Sequence, residues 1–273
     1  MARIYTIANN KGGCGKTTTA ANLAAALWGR GFDVLAVDAD AQANLTACLG
    51  CKDVPPGVST FDALKAEITP YIEPLRLRIG AGPSGSVLDL LPGSPDLAAV
   101  EAGLAVEADR LQRLGNVLSK YSHRYDAIIV DTPPAVGVLT LSALYCADAV
   151  IIAVQPQFLA VQGLVTLAGI VQRLNSAGAR IQDSRVLFTQ YDRRKSLHRL
   201  SADKVQGAGF PVFASRIREN VALGEAPAAG LDVFQYAPKS NGAADYTDFC
   251  AELLRLWPLA HVKHSRKQTK QPK

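Results

Sequence analysis

A glycine-rich turn, Lys-Gly-Gly-Cys-Gly-Lys-Thr-Thr at positions 11–18, restricts the fold of this chain more than any other feature. It follows an apolar run over residues 3–8 that predicts a buried strand. It also opens an Ala- and Leu-rich stretch over residues 17–28 that predicts a helix. A strand, such a turn and a helix in this order are the context of a phosphate-binding loop. The sequence therefore predicts an α/β fold with a phosphate site.

Each residue type in this loop has a chemical role. The glycines let backbone N–H groups turn toward phosphate oxygens, and the helix N-terminus adds favourable partial charge. Lys16 would reach the β- and γ-phosphates, and the Thr17 hydroxyl would be a ligand of Mg²⁺. The predicted nucleotide-binding residues of the loop are Lys11, Gly12, Gly13, Cys14, Gly15, Lys16, Thr17 and Thr18.

Further apolar runs alternate with helical stretches along the chain. Short apolar runs separated by helices predict parallel strands buried on both faces, so the expected fold class is α/β, a doubly wound and mostly parallel sheet flanked by helices. Strands are predicted over residues 34–37, 127–130, 149–154 and 186–188, and helices over residues 107–121 and 245–256.

The charge distribution divides the chain into a neutral body and a basic end. The net charge is +5, and residues 261–273 contain five cations and no carboxylate, so residues 1–260 are formally neutral. The positive net charge of the whole chain is therefore no argument for a nucleic-acid partner. We expect one P-loop domain over residues 1–258 and a basic, mobile tail over residues 259–273. Without a signal-peptide pattern or a long apolar run, and with five cysteines, we expect a cytoplasmic protein with reduced thiols.

Three aspartates stand where predicted strands end. Asp38 and Asp40 close the strand over residues 34–37, and Asp131 closes Ile-Ile-Val-Asp-Thr-Pro-Pro, which reads as a Walker B sequence. Because open α/β sheets bind ligands at the carboxyl ends of their strands, we expect these aspartates beside the loop. Asp131 would hold Mg²⁺ through water, since Mg²⁺ keeps several waters and takes few carboxylates.

Lys11 stands at the front of the loop, where a cation is costly unless an anion meets it. With this lysine the sequence resembles the deviant Walker A family, which includes ParA partition ATPases, MinD and the nitrogenase iron protein. The resemblance implies ATP as the nucleotide and a sandwich homodimer in which Lys11 contacts the partner's phosphates, much as an arginine finger does. The resemblance implies that Asp40 activates the attacking water and that Asp38 has a structural role. The implied catalytic residues are Lys11, Lys16 and Asp40, and the implied metal-site residues are Thr17, Asp40 and Asp131.

The segment after the second strand departs from the family pattern. Residues 40–44, here called the switch segment, read Asp-Ala-Gln-Ala-Asn, where the family usually has Asp-Pro-Gln-Gly-Asn. Ala41 and Ala43 favour helix, so we expect a more regular switch segment than usual.

The C-terminal half narrows the resemblance to short ParA/Soj proteins. It contains Phe-Pro-Val-Phe from residue 210, Ile-Arg-Glu-Asn-Val-Ala-Leu-Gly-Glu-Ala-Pro from residue 217, and Tyr-Ala-Pro-Lys-Ser-Asn-Gly-Ala-Ala from residue 236. The resemblance implies a nucleotide contact by Asn220, non-specific binding of the ATP-bound dimer to double-stranded DNA on the nucleoid, and a ParB-like adaptor that stimulates hydrolysis. No N-terminal helix-turn-helix extension precedes the loop, so operator binding is not expected.

A basic cluster, Arg-Arg-Lys-Ser-Leu-His-Arg, occupies residues 193–199. Such a cluster can neutralise phosphates without reading bases. Ala222 replaces a residue that is often basic in the family, so we expect other cations or the tail to compensate. The predicted DNA-contacting residues are Arg193, Arg194, Lys195, Arg199, Arg216, Arg218 and Lys239.

Three other functions stay open from the sequence. A MinD-like membrane cycle needs an amphipathic C-terminal helix, and the segment after Pro258 has too little apolar surface, so no stable membrane association is expected. An iron–sulfur carrier is suggested by Cys48-Leu-Gly-Cys51, because two such pairs in a dimer could supply four thiolates. A positioning ATPase for a cargo other than DNA would keep the same chemistry.

Overall fold

In the computed structural model, which describes residues 1–65, 71–77, 82–104, 106–157 and 160–261, eight strands form one sheet in the order β3-β4-β2-β5-β1-β6-β7-β8. Neighbouring strands are parallel except β3, which is antiparallel to β4. The predicted doubly wound, mostly parallel fold is confirmed. The strands are β1 Arg3–Ala8, β2 Val34–Asp38, β3 Leu75–Arg76, β4 Leu88–Leu91, β5 Ala127–Asp131, β6 Ala149–Val154, β7 Asp183–Tyr191 and β8 Val212–Arg218.

Helices cover both faces of this sheet, because alternate residues of the buried central strands point to opposite faces. The helices are α1 Lys16–Trp28, α2 Asn44–Cys48, α3 Thr60–Lys65, α4 Leu97–Leu104, α5 Arg113–Ser119, α6 Val138–Tyr145, α7 Ala160–Ser176, α8 Ser196–Gly207, α9 Val221–Glu225, α10 Val233–Tyr236 and α11 Asn241–Leu256. Helices α1 and α11 share one apolar core with one face of the sheet. Helices α3 to α8 pack on the other face. No helix in the part of the chain that the structure describes is long and apolar enough to cross a bilayer.

Strand register brings the functional loops to one edge of the sheet. Strands β2, β5 and β1 lie side by side, and Asp131 at the end of β5 pairs with both Asp38 and Ile7. Parallel strands that end at the same level deliver their following loops to the same place. The glycine-rich loop after β1 therefore lies beside the aspartates at the ends of β2 and β5.

Several element boundaries differ from the sequence prediction. The helix expected over residues 107–121 is confined to Arg113–Ser119, and turns precede and follow it. The strand expected over residues 186–188 extends over Asp183–Tyr191. Helix α11 begins four residues earlier than expected, because the Ser240 side chain accepts a hydrogen bond from the backbone N–H of Ala243 and caps it. The predicted tail lies outside the described residues from position 262 onward.

Candidate functional site

The loop between β1 and α1 depends on two left-handed glycines. Gly13 has φ of 71° and Gly15 has φ of 82°, a region that residues with a Cβ atom rarely adopt. Gly15 is the N-cap of α1, and no side chain caps the helix. The first N–H groups of α1 therefore remain as donors at the positive end of the helix dipole, which is the arrangement that binds phosphate.

The two lysines of the loop differ in burial. Lys16 is 6% exposed, and its ammonium group donates to the backbone oxygen of Lys11 at 3.1 Å, so it folds back over the loop. The Lys11 side chain is exposed and donates to the side-chain oxygen of Gln157 beyond the end of β6. Lys16 can thus reach a phosphate held in its own loop, while Lys11 lies at the surface, where a second molecule could meet it.

Thr17 and Asp131 form the part of the site that suits a cation. The Thr17 hydroxyl donates to one carboxylate oxygen of Asp131 at 2.7 Å, while the other, Oδ1, is buried without a hydrogen-bond partner. Burial, and then the charge of Asp38, raises the pKa of Asp131 to about 8. A cation would satisfy the unpaired oxygen and favour the charged form, so these residues fit Mg²⁺. When bound, Mg²⁺ would neutralise charge on the phosphates.

Asp38 and Asp40 have different surroundings. The buried Asp38 carboxylate accepts hydrogen bonds from the backbone N–H of Thr46 at 2.8 Å, from its hydroxyl at 2.7 Å and from the backbone N–H of Asp40 at 3.2 Å. Burial raises the pKa of Asp38 to about 6. Asp40 is 6% exposed, and one of its oxygens accepts from the backbone N–H of Gln42 at 3.0 Å. Asp38 therefore ties the switch segment to α2, and Asp40 begins that segment at the same sheet edge as Asp131.

The switch segment is less regular than its alanines predicted. Ala43 has φ of 51° and ψ of 35°, which is left-handed, and α2 begins only after it. Ala41 lies in a turn rather than in a helix. The helix propensity of the two alanines does not make residues 41–43 helical, because tertiary contacts outweigh a weak local preference. Greater regularity than in the rest of the family stays a prediction.

Two residues that sequence reasoning missed contact the loop from the end of β7. The hydroxyl of Thr189 donates to the backbone oxygen of Cys14 at 2.7 Å. The side-chain amide of Gln190 donates to the backbone oxygen of Gly13 at 2.8 Å. The available signal was the one used for Asp131, polar residues where a buried strand ends at the ligand-binding edge of the sheet.

Residues 192–195, here called the basic loop, follow β7 and carry the first cations of the basic cluster. Carboxylates of the same molecule partly neutralise them. Asp192 accepts the guanidinium of Arg194 at 2.8 Å, and Arg194 holds the pKa of Asp192 well below its usual range. Lys195 pairs with Glu219 at 2.7 Å. The Arg194 side chain is still 86% exposed, so it is available to a phosphate that displaces Asp192. The structure brings this loop next to the end of β8.

The predicted cations on and after β8 have varied contacts. Arg216 lies over the ring of Tyr191, with its guanidinium carbon 4.4 Å from the ring centroid. Arg218 pairs with Asp245 of α11 at 2.6 Å, and the buried carboxylate also accepts its backbone N–H. Lys239 is exposed before α11. Arg216 therefore adjoins the basic loop, while Arg218 fastens β8 to α11.

Two other predicted positions make local hydrogen bonds. The guanidinium of Arg199 donates to the backbone oxygen of Arg193 at 2.7 Å, which closes the start of α8 onto the basic loop. The Asn220 side-chain oxygen accepts from the backbone N–H of Ala222 at 2.9 Å and caps α9. Its amide N–H₂ group remains the donor end that a nucleotide could use.

The strand, glycine-rich loop and helix, with a buried aspartate beside the loop threonine, define a P-loop nucleotide-binding protein. Residues 2–182 match the family model described as an AAA domain. The chromosome partitioning protein ParA of Caulobacter vibrioides is 35% identical over 256 residues, which are 92% of this chain and 94% of the relative. The sporulation initiation inhibitor protein Soj of Bacillus subtilis is 34% identical over 257 residues, 93% of this chain and 98% of the relative.

A solved structure is similar to this chain over nearly its whole length. Cobyrinic acid a,c-diamide synthase from Mycobacterium smegmatis, with bound ADP and magnesium, has a TM-score of 0.80 and 33% identity, covering 94% of this chain and 96% of that chain. The chain belongs to the ParA family of P-loop ATPases.

Proposed function

We propose that this protein is an ATP-dependent DNA partition ATPase. The protein binds MgATP in its phosphate loop, closes into a homodimer over the nucleotides, and in that state binds double-stranded DNA without sequence preference. A ParB-like adaptor stimulates hydrolysis and releases the dimer from DNA. The protein works in the cytoplasm on the nucleoid and segregates a plasmid or a chromosome.

The observation that carries this proposal is the surface position of Lys11 in a loop whose own phosphate site is served by Lys16. A protomer with Lys16 folded over its loop needs no second lysine for its own phosphates. Lys11, exposed at the same edge, suits an anion on a second protomer. Closure over ATP would place two basic loops on one particle and raise its affinity for DNA, since each neutralised phosphate releases counterions.

Asp40 supports the hydrolytic part of the cycle. It is buried at the edge where Thr17 and Asp131 would hold Mg²⁺, and its backbone N–H is held by Asp38. A carboxylate in that position can orient water for attack on a γ-phosphate. Because Asp40 begins the switch segment, a movement of that segment would move this carboxylate relative to the phosphate loop and change the rate of hydrolysis.

The cysteines do not favour the iron–sulfur alternative. Burial, followed by the charges of Asp131 and Asp38, raises the pKa of the Cys48 thiol to about 11. Cys51 is half-buried, and burial raises the pKa of its thiol too. Without a metal, these surroundings favour the protonated thiols over the thiolates that act as cluster ligands.

The test is DNA binding with ATP, with ADP and without nucleotide, measured by fluorescence anisotropy on duplexes of unrelated sequence. We expect binding with MgATP alone and equal affinity for every sequence. Lys16→Ala should abolish nucleotide binding, whereas Lys11→Ala should retain nucleotide but remain monomeric. Asp40→Ala should accumulate as an ATP-bound, DNA-bound dimer. Normal turnover by Asp40→Ala, or no DNA binding with ATP, would contradict the proposal.

A variant pair tests the DNA surface. Arg194→Ala should weaken binding to all sequences and reduce the slope of log affinity against log salt by about one cation's share. Arg30→Ala is the matched control, because Arg30 is also exposed but follows α1 at the opposite edge of the sheet. Equal effects of the two substitutions would show that general charge, rather than the basic loop, determines affinity.

A further inference from the structure

The backbone oxygens of Gly13 and Cys14 in the phosphate loop accept hydrogen bonds from side chains at the end of β7. We propose that Thr189 and Gln190 are positioning residues for nucleotide binding, which orient two loop peptides so that their N–H groups face the phosphates. This inference rests on the proposed binding of ATP in that loop. Neither residue would contact the reacting atoms, because each acts through a peptide bond of the loop.

The argument starts from peptide geometry. In a trans peptide the C=O of one residue and the N–H of the next point in opposite directions. Thr189 holds the oxygen of Cys14 at 2.7 Å, which turns the N–H of Gly15 the other way. Gln190 holds the oxygen of Gly13 at 2.8 Å, which does the same for the N–H of Cys14. A carbonyl that rotated inward would instead present negative charge to a phosphate.

The backbone of β7 is bent so that both side chains can reach the loop. Successive side chains of a regular strand point to opposite faces of the sheet, so two adjacent side chains do not normally reach two adjacent peptides of one neighbouring loop. Gln190 has φ of 50°, and the register between β7 and β8 is irregular between Phe188 and Tyr191. Among the non-glycine residues that the structure describes, only Ala43 shares a positive φ. Such irregularities re-aim side chains, and this one re-aims Gln190 toward Gly13.

Burial makes the Thr189 contact specific. The side chain is 2% exposed, so water cannot readily replace its hydroxyl as the donor to Cys14. A Cβ atom at Gly15 would lie 3.4 Å from the Cβ atom of Thr189, so the strand end supports the loop directly. The same contact fixes the start of α1, whose N-cap is Gly15.

The substitutions that test this proposal remove a donor while keeping shape. Thr189→Val has nearly the same volume without the hydroxyl, and Thr189→Ser is its matched control because it restores the hydroxyl. Gln190→Met keeps the length of the side chain without the N–H donor. Binding of a fluorescent ATP analogue with Mg²⁺ and the steady-state KM and kcat for ATP are measured for each variant, and Lys16→Ala serves as the non-binding reference.

We expect Thr189→Val and Gln190→Met each to weaken nucleotide binding roughly fivefold, the effect of one lost hydrogen bond. KM should rise by a similar factor with little change in kcat, because the contacts act on binding of the phosphates in ground and transition states alike. Thr189→Ser should recover most of the affinity. Wild-type affinity in both donor-less variants, or an equal loss in Thr189→Ser and Thr189→Val, would overturn the positioning role alone. Failure of the wild-type protein to bind nucleotide would overturn the proposed function as well.

Discussion

Replacement of Ala43 by glycine is expected to make the protein more stable, although alanine is the better residue in most positions. Ala43 is the last residue of the switch segment before α2 and has φ of 51° and ψ of 35°. A Cβ atom in that conformation crowds the carbonyl oxygen that follows it, and glycine has no such contact. The substitution therefore acts on backbone strain in the native state.

The magnitude follows from two opposing effects. Relief of the left-handed conformation should contribute about 1–2 kcal/mol to the free energy of unfolding. The greater freedom of glycine in the unfolded chain removes about 0.4–1 kcal/mol of that gain. We expect a net stabilisation of roughly 0.5–1 kcal/mol for Ala43→Gly. Ala41→Gly is the matched control, because Ala41 has no positive φ and packs against the core. It should lower the free energy of unfolding by about 0.4–1 kcal/mol.

Urea denaturation without nucleotide, followed by tryptophan fluorescence, measures both variants against the wild type. Unchanged m-values would show that each substitution alters stability rather than the extent of unfolding. The two changes should have opposite signs. A loss of stability in Ala43→Gly equal to that in Ala41→Gly would refute the argument from strain, because it would mean that the left-handed conformation at residue 43 costs nothing.

Three other outcomes are expected. Asp131→Asn should keep the hydrogen bond from the Thr17 hydroxyl but lose the gain in nucleotide affinity that Mg²⁺ gives. Calorimetric titration of nucleotide with and without Mg²⁺ measures this gain, and a gain equal to that of the wild type would contradict the prediction. Glu219→Gln should free Lys195, tighten binding to DNA and steepen its salt dependence by about 0.9 in the log–log slope. Glu225→Gln is the control, because this carboxylate accepts from the Tyr236 hydroxyl and pairs with no cation among the residues that the structure describes; it should leave both quantities unchanged. Gly50→Ala should lower the free energy of unfolding by at least about 2 kcal/mol, because φ there is 77° and a Cβ atom would lie 2.6 Å from a facing backbone oxygen; thermal denaturation at wild-type temperature would contradict this.

Five of the eight strands in the described part of the chain could be predicted from the sequence, because each signal is local. The run over residues 149–154 is apolar throughout, and the structure buries it as β6. The strands β3, β4 and β8 and the true length of the helix before β5 were not predicted. Residues 107–112 have helical composition, yet they form turns before Arg113–Ser119, since packing against α6 and the sheet determines where the helix begins.

The charged surface could also be predicted only in part from the sequence. The basic loop is visible in the sequence, but its partners are not, because Glu219 and Asp245 lie 24 and 27 residues from Lys195 and Arg218. These pairs form only after β8 and α11 are in place. A count of cations therefore overstates the charge that this face presents to a phosphate backbone.

The sequence by itself determined the class of fold and the phosphate loop, because buried strands, helix starts and left-handed glycines are requirements of short segments. It also placed Asp38, Asp40 and Asp131 at one edge, because parallel strands share a direction. Only the tertiary structure determined the left-handed backbone conformations of Ala43 and Gln190 and the hydrogen bonds from the end of β7 to the loop peptides. Those features join segments up to 177 residues apart, and their conformations cost local energy that only long-range contacts can offset.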